Sequence, residues 1–446
     1  MKVIIYGWCW LKALAKRCKK LMIEFKNKVK KVGTNDPRRV YHSFKVGLAL
    51  TLVSLLYYDK PLYGGFGSST MWAVLTVVVV FEFSVGATLS KGINRGLATL
   101  VAGSLGLGVH YLATLTGEIG ESLCYFVFRF SFLVTAASTF TRFFPGVKAR
   151  YDYGMVIFIL TFNEILVVAG ERLITILIGC VTCAVISIFL FPVWAGQDLH
   201  KLMCLNIEHL AVFLDAEDNK EDVNAINVEK LFLDGYKKIL TSKSEEEALT
   251  NFARWEPPHG SFQFNYPWKH YLVIGGVTRQ CAYRVEELHN CITSKINAQS
   301  EFLKIIKNSC MELSKESGTT LQELSAAVKQ MTYPKAVPKH IKNLKKTAAK
   351  LKSVLKTVTL ENANFLEDVM SGAMVASLLV DIVGCIEDIA ESISELAHLA
   401  KFKGADPAFR PEKLSQQPGN IRVQCEPSMQ LPHNETMHSH TTNNGD

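Results

Sequence analysis

Residues 173–191 carry no charged side chain, and that run constrains the fold more than any other feature. A helix so apolar on all sides is buried in a large core or in lipid, because no face is marked for water. The run is one of a series. Apolar segments recur at about 42–58, 70–88, 95–114, 122–141, 152–169 and 172–194, and most approach the roughly 20 residues a bilayer crossing needs. After Trp194 the chain turns polar and charged. Residues 199–214, 226–243, 270–308, 319–331, 339–358 and 361–401 then follow helical periodicity with one apolar face each. No strand alternation of note appears. The sequence therefore predicts an all-α polytopic membrane protein. A basic cytosolic segment, 1–41, leads into a six-helix transmembrane domain, 42–194. A cytosolic helical domain, 195–403, and a disordered polar tail, 404–446, complete it.

Charge supplies the orientation. Residues 1–45 hold thirteen Lys or Arg against Glu24 and Asp36, in a chain of net charge +8. A basic arm beside the first apolar run favours anionic lipid on the cytosolic face. Nucleic acid is not expected as a partner, since no recognition motif accompanies the arm. The short apolar run 3–11 reads as an interfacial helix anchored by Trp8 and Trp10 rather than as a cleaved signal. Lys91 and Arg95 connect segments two and three, and Arg142, Lys148 and Arg150 connect segments four and five. Residues 116–121, between segments three and four, carry only acids. This alternation puts both termini in the cytosol.

Catalytic patterns are missing. There is no P-loop, no G-x-S-x-G, no H-E-x-x-H and no zinc spacing, so neither an enzyme nor an ATP-driven pump is expected. The eleven cysteines form no disulfide framework, and Cys180 and Cys183 lie on an apolar helix as small packing residues. No metal site or cofactor is expected. What remains is charge at the membrane. Topology alone accounts for Lys91, Arg95, Arg142, Lys148 and Arg150. The alternative is that they attract anions, an arginine gripping a carboxylate through two parallel hydrogen bonds. Arg172 differs, because it opens segment six on the outer side, where topology asks for no cation. Glu82 would repel anions in a pore and is expected to pair with a cation on another helix, Arg129 being one candidate. Trp255, Glu256 and Pro257 read as a rigid loop, with proline fixing the backbone and Trp255 pinning it to a helix.

Several stretches resemble one plant family, the aluminium-activated malate transporters. They are Asp36-Pro37-Arg38-Arg39, Met71-Trp72-Ala73-Val74, Phe81-Glu82-Phe83-Ser84 and Lys91-Gly92-Ile93-Asn94-Arg95-Gly96. Further matches are Arg142-Phe143-Phe144-Pro145, Tyr151-Asp152-Tyr153-Gly154, Pro192-Val193-Trp194-Ala195-Gly196-Gln197-Asp198-Leu199-His200 and Trp255-Glu256-Pro257-Pro258-His259-Gly260. The resemblance implies a homodimeric anion channel passing malate and inorganic anions, with Arg95 and Arg172 as pore arginines and Lys91 close by. It points to the plasma membrane more than to the vacuolar membrane. One departure stands out. The family carries more residues around Phe162-Asn163-Glu164, so helix five has little length to finish its crossing. Two rivals to the channel stand beside it, a coupled secondary transporter and, because helix five is shortened, a non-conducting scaffold. The shortening also removes outer acids, leaving Glu164 and Glu171 beside Glu118 and Glu121, and aluminium activation is not expected.

Overall fold

The computed structural model describes residues 2–55, 70–115, 120–164, 169–216, 235–295, 301–361 and 366–405, and none of them forms a strand. The expectation of an all-helical chain holds for these residues. Of the tail expected to be disordered, 404–446, residues 406–446 lie outside them, as do residues 226–234 of an expected helix, while Ala405 donates to the Phe402 carbonyl at 3.1 Å.

Helix α1, Lys2–Asn35, ends where Asp36 and Pro37 interrupt it. Asp36 then caps α2, Pro37–Ser54, accepting the Arg38 N–H at 3.2 Å, while Pro37 sits at a first-turn position that needs no donor. Helices α3, Thr70–Val80, α4, Val85–Leu115, α5, Gly120–Thr141, α6, Pro145–Glu164, and α7, Ala169–Phe189, complete the apolar half. Two bounds change the reading. The run 70–88 is cut after Val80, and Lys91 and Arg95 stand inside α4 rather than in a connection. Helix five starts at Pro145, and its 20 residues reach about 30 Å at helical rise. Phe162 is no frayed end. It is buried, stacked on Phe158 at 5.8 Å, and meets Phe130 of α5 edge-on at 6.3 Å.

Helix α7 is the hub of this half, packing on α2, α3 and α4. Ala49, Val53, Ala73, Val77, Val80, Cys183 and Ile186 form its core. Cys183 is buried there as a packing residue. Among the described residues no helix is long and apolar enough to cross a membrane. α3 is short, and α4 places Lys91, Asn94 and Arg95 in its first three turns.

The polar half contains α8, Ala195–Ala216, α9, Lys243–Ala253, α10, Trp268–Lys295, α11, Glu301–Gln330, α12, Val337–Glu361, and α13, Leu366–Leu399. Its core follows helical spacing. Leu199, Met203, Ile207, Leu210 and Leu214 of α8 face Leu313, Leu321, Leu324 and Val328 of α11, and Ile382, Ile386, Ile389 and Ile393 of α13 close the layer. The one buried carboxylate that anchors this packing among the described residues of α9, Glu246, is held by Arg279 and by Ser242 Oγ at 2.7 Å. The Lys-rich α12 meets the acidic α13 through an exposed Lys345–Glu387 pair.

Candidate functional site

The two halves meet at the first turn of α4. A helix start leaves N–H groups without helical partners, and here Val85, Gly86 and Ala87 each find one. Val85 donates to the Val193 carbonyl at 2.9 Å, Gly86 to Glu256 Oε1 at 3.3 Å and Ala87 to Ser84 Oγ at 3.3 Å, and Thr88 then makes the first helical bond, to the Ser84 carbonyl at 3.1 Å. Glu256 also serves the first turn of α8. Ala195 N–H donates to its Oε1 at 2.6 Å and Gly196 N–H to its Oε2 at 3.1 Å. One buried carboxylate therefore ties together two helix N-termini, whose dipoles both favour a negative charge. Beside it, Trp194 stacks on His259 with ring centroids 3.8 Å apart. His259 Nδ1 donates to the Pro257 carbonyl at 2.9 Å, which leaves Nε2 3.9 Å from Glu256.

Close approach makes this joint sensitive to a single methyl group. A Cβ at Gly86 would stand 2.2 Å from the Phe252 carbonyl oxygen at the end of α9. A backbone atom cannot swing aside. Gly86→Ala is expected to cost about 1–3 kcal/mol of stability, read as a lowered melting temperature of the purified chain. An unchanged melt would mean that α4 and α9 do not touch in solution.

Burial raises the Glu256 carboxyl from the usual 4.5 to about 6, even against its three N–H donors. The proton is held more tightly in the clamp than in an unfolded chain. Stability from this group is thus greatest below pH about 4.5 and falls by about 2 kcal/mol as pH rises through about 6. Burial lowers the pKa of His259, which has the opposite sign: its contribution grows as pH rises toward the usual imidazole value. The diagnostic quantity is the difference between wild type and Glu256→Gln in thermal melts from pH about 4.5 to 7. It should change with pH in the direction given; a constant difference would assign the titration to other groups.

Further along α4 the cations gather. Lys91 pairs with Glu82, which the break at 81–84 turns back toward it. This corrects the expected partner, since Arg129 lies exposed on α5. Lys91 Nζ also lies 5.7 Å from the ring centre of Tyr153 on α6. Arg95 is 5% exposed, and its Nη1 donates to the Tyr153 hydroxyl at 3.1 Å. Its Nε finds no hydrogen-bond partner, and no carboxylate among the described residues pairs with it. Arg142 is a different case. It clasps Asp152 through Nε at 2.7 Å and Nη2 at 3.2 Å, so its charge is already met. Lys148 is exposed at the rim of a pocket of about 450 Å³ between α4, α6 and the end of α9, where Trp255 also stands. The backbones of Arg150 and Arg172 lie in α6 and α7, and their side chains lie outside those described. So do the side chains of Glu118, Glu121, Glu164 and Glu171.

Residues 30–365 match the family model described as aluminium activated malate transporter. That span is well over half of the chain.

The chain belongs to the aluminium activated malate transporter family.

It is similar to aluminum-activated malate transporter 2 of Arabidopsis thaliana, at 48% identity over 393 residues, covering 84% of this chain and 77% of that protein. Aluminum-activated malate transporter 1 of Triticum aestivum is 43% identical over 405 residues, covering 86% of this chain and 87% of the relative. The family is one of transporters and not of enzymes. In this member of the family, Lys91, Arg95, Lys148 and the Trp255–Glu256 corner converge on one region, although they lie far apart in sequence. Tyr153, Trp194 and Arg254 belong to that region and were not singled out by sequence reasoning. The Trp255 motif was read as a rigid loop, whereas Glu256 works chiefly as a helix clamp. The only sequence hint was an acid set between a tryptophan and two prolines.

Proposed function

We propose that this chain is an anion channel, passing malate and inorganic anions across a plant membrane through a cation-lined pathway. The observation that carries the reading is Arg95, a buried guanidinium with a tyrosine hydroxyl as its partner and no carboxylate among the described residues. A buried cation without a counter-ion is costly, and a passing anion would relieve that cost. In this reading α2 to α7 are six spanning segments, both termini are cytosolic, and Arg172 and Arg150 join Lys91, Arg95 and Lys148 along the pathway. Outward apolar side chains support the bilayer assignment: Phe132 is 66% exposed and Phe189 75%. Such faces suit lipid and a second copy of the chain, consistent with a homodimer. The family resemblance favours the plasma membrane.

Voltage clamp of the full chain in a low-background cell tests the reading, with malate and then chloride as the main internal anion and surface delivery measured in the same cells. Currents whose reversal follows the anion gradient are expected. Reversal that follows a proton or sodium gradient would favour a coupled transporter, and silence at good surface density a non-conducting scaffold.

A further inference from the structure

The pocket beside Lys148 has a second wall that belongs to the polar half of the chain. Asn251, Arg254 and Trp255, from the end of α9 and the turn after it, face Lys91, Lys148 and Tyr151 across about 450 Å³. Pockets that hold small molecules run from about 300 to 1,000 Å³. Its cations are not equivalent. Lys91 is engaged by Glu82, and the lining acid Asp152 is clasped by Arg142. Lys148, which lies near enough to Asp152 to feel its charge, and Arg254 form no salt bridge among the described residues, and they stand on different walls.

We propose that this pocket is a binding site for a small dicarboxylate, with Arg254 and Lys148 each taking one carboxylate at the entrance to the pathway. A guanidinium fork matches a carboxylate through two parallel hydrogen bonds, and an ammonium serves as a point charge. Asn251 supplies an amide donor and acceptor for a hydroxyl or a remaining oxygen. Tyr151 and Trp255 give flat walls. A dianion engages both cations at once, whereas chloride engages one at a time. The site therefore favours dicarboxylates over monovalent anions before either reaches Arg95. Arg254 directly precedes the Trp255–Glu256 corner, so an occupied pocket sits against the clamp that holds α4. The proposal rests on the anion-channel reading for its current readout and on the pocket alone for its binding readout.

Two measurements separate these. In inside-out patches, Arg254→Gln is expected to raise the half-saturating cytosolic malate concentration about tenfold, as the loss of one charge-assisted contact implies. The malate current should fall more than the chloride current, and Arg254→Lys should restore part of the difference. In thermal melts of the purified full chain, malate and succinate should raise the melting temperature of wild type. Chloride at equal ionic strength should not, and Arg254→Gln should lose the shift while melting normally without ligand. Equal melt shifts with malate and chloride, or an unchanged malate shift in Arg254→Gln, would overturn the site. Silent wild-type patches with an intact Arg254-dependent melt shift would instead overturn the channel reading and leave the site standing.

Discussion

Arg95→Gln is expected to lower the malate current at least about tenfold at unchanged surface density. Truncating one partner of a buried charge interaction typically costs 2–5 kcal/mol, and about 1.4 kcal/mol is tenfold. The glutamine amide ends near the place of Arg95 Nε, two bonds short of Nη1, so the variant loses the hydrogen bond to the Tyr153 hydroxyl together with the charge. The expected effect on stability has the opposite sign. A guanidinium that is 5% exposed, with an orphan Nε, is a cost to the folded chain. The purified variant should therefore melt no lower than wild type, because removing an uncompensated buried charge gains more than the single hydrogen bond to Tyr153 loses. Voltage clamp and thermal melts on one preparation measure both. Unchanged current and selectivity would remove Arg95 from the pathway. A current loss accompanied by a lower melting temperature would mark it as a packing residue instead.

Glu256→Ala should have the largest effect on stability. It removes the acceptor for Gly86, Ala195 and Gly196 at once, in a place where the Glu256 side chain is 1% exposed. Each buried N–H left without a partner costs about 1–3 kcal/mol, so the joint loses several kcal/mol together. A sharp drop in melting temperature and poor surface delivery are expected. Glu256→Gln keeps one acceptor oxygen but sets an amide NH2 against a backbone N–H donor on the other side, and should fall between wild type and the alanine variant at neutral pH. If the alanine variant melts like wild type, water replaces the carboxylate and the clamp is dispensable. A normal melt with lost current would move Glu256 from holding the fold to gating.

Local pattern made much of the molecule legible. Apolar runs before Trp194 and single-faced helices after it gave the helical class, since side-chain periodicity sets which face can be buried. Clustered cations near Lys91 and Arg95 drew notice because charge near an apolar wall is costly wherever it stands. The bounds were less legible. Valine-rich sequence at 77–80 runs on into Phe81 with no proline or glycine to mark the break after Val80. That break turns Glu82 back onto Lys91, a partner nine positions away.

By itself, then, the sequence determined an all-helical chain divided at Trp194, with its unusual cations on the apolar side of that division. Only the tertiary structure decided which of those cations are neutralised. Arg142 is met by Asp152 and Lys91 by Glu82, while Arg95 has the Tyr153 hydroxyl. It also decided that Glu256 reaches Gly86 across 170 positions. The reason is physical: helix formation is governed by neighbours within a turn or two, whereas the pairing of a charge or a helix end depends on which distant side chains the packed core brings within hydrogen-bond reach.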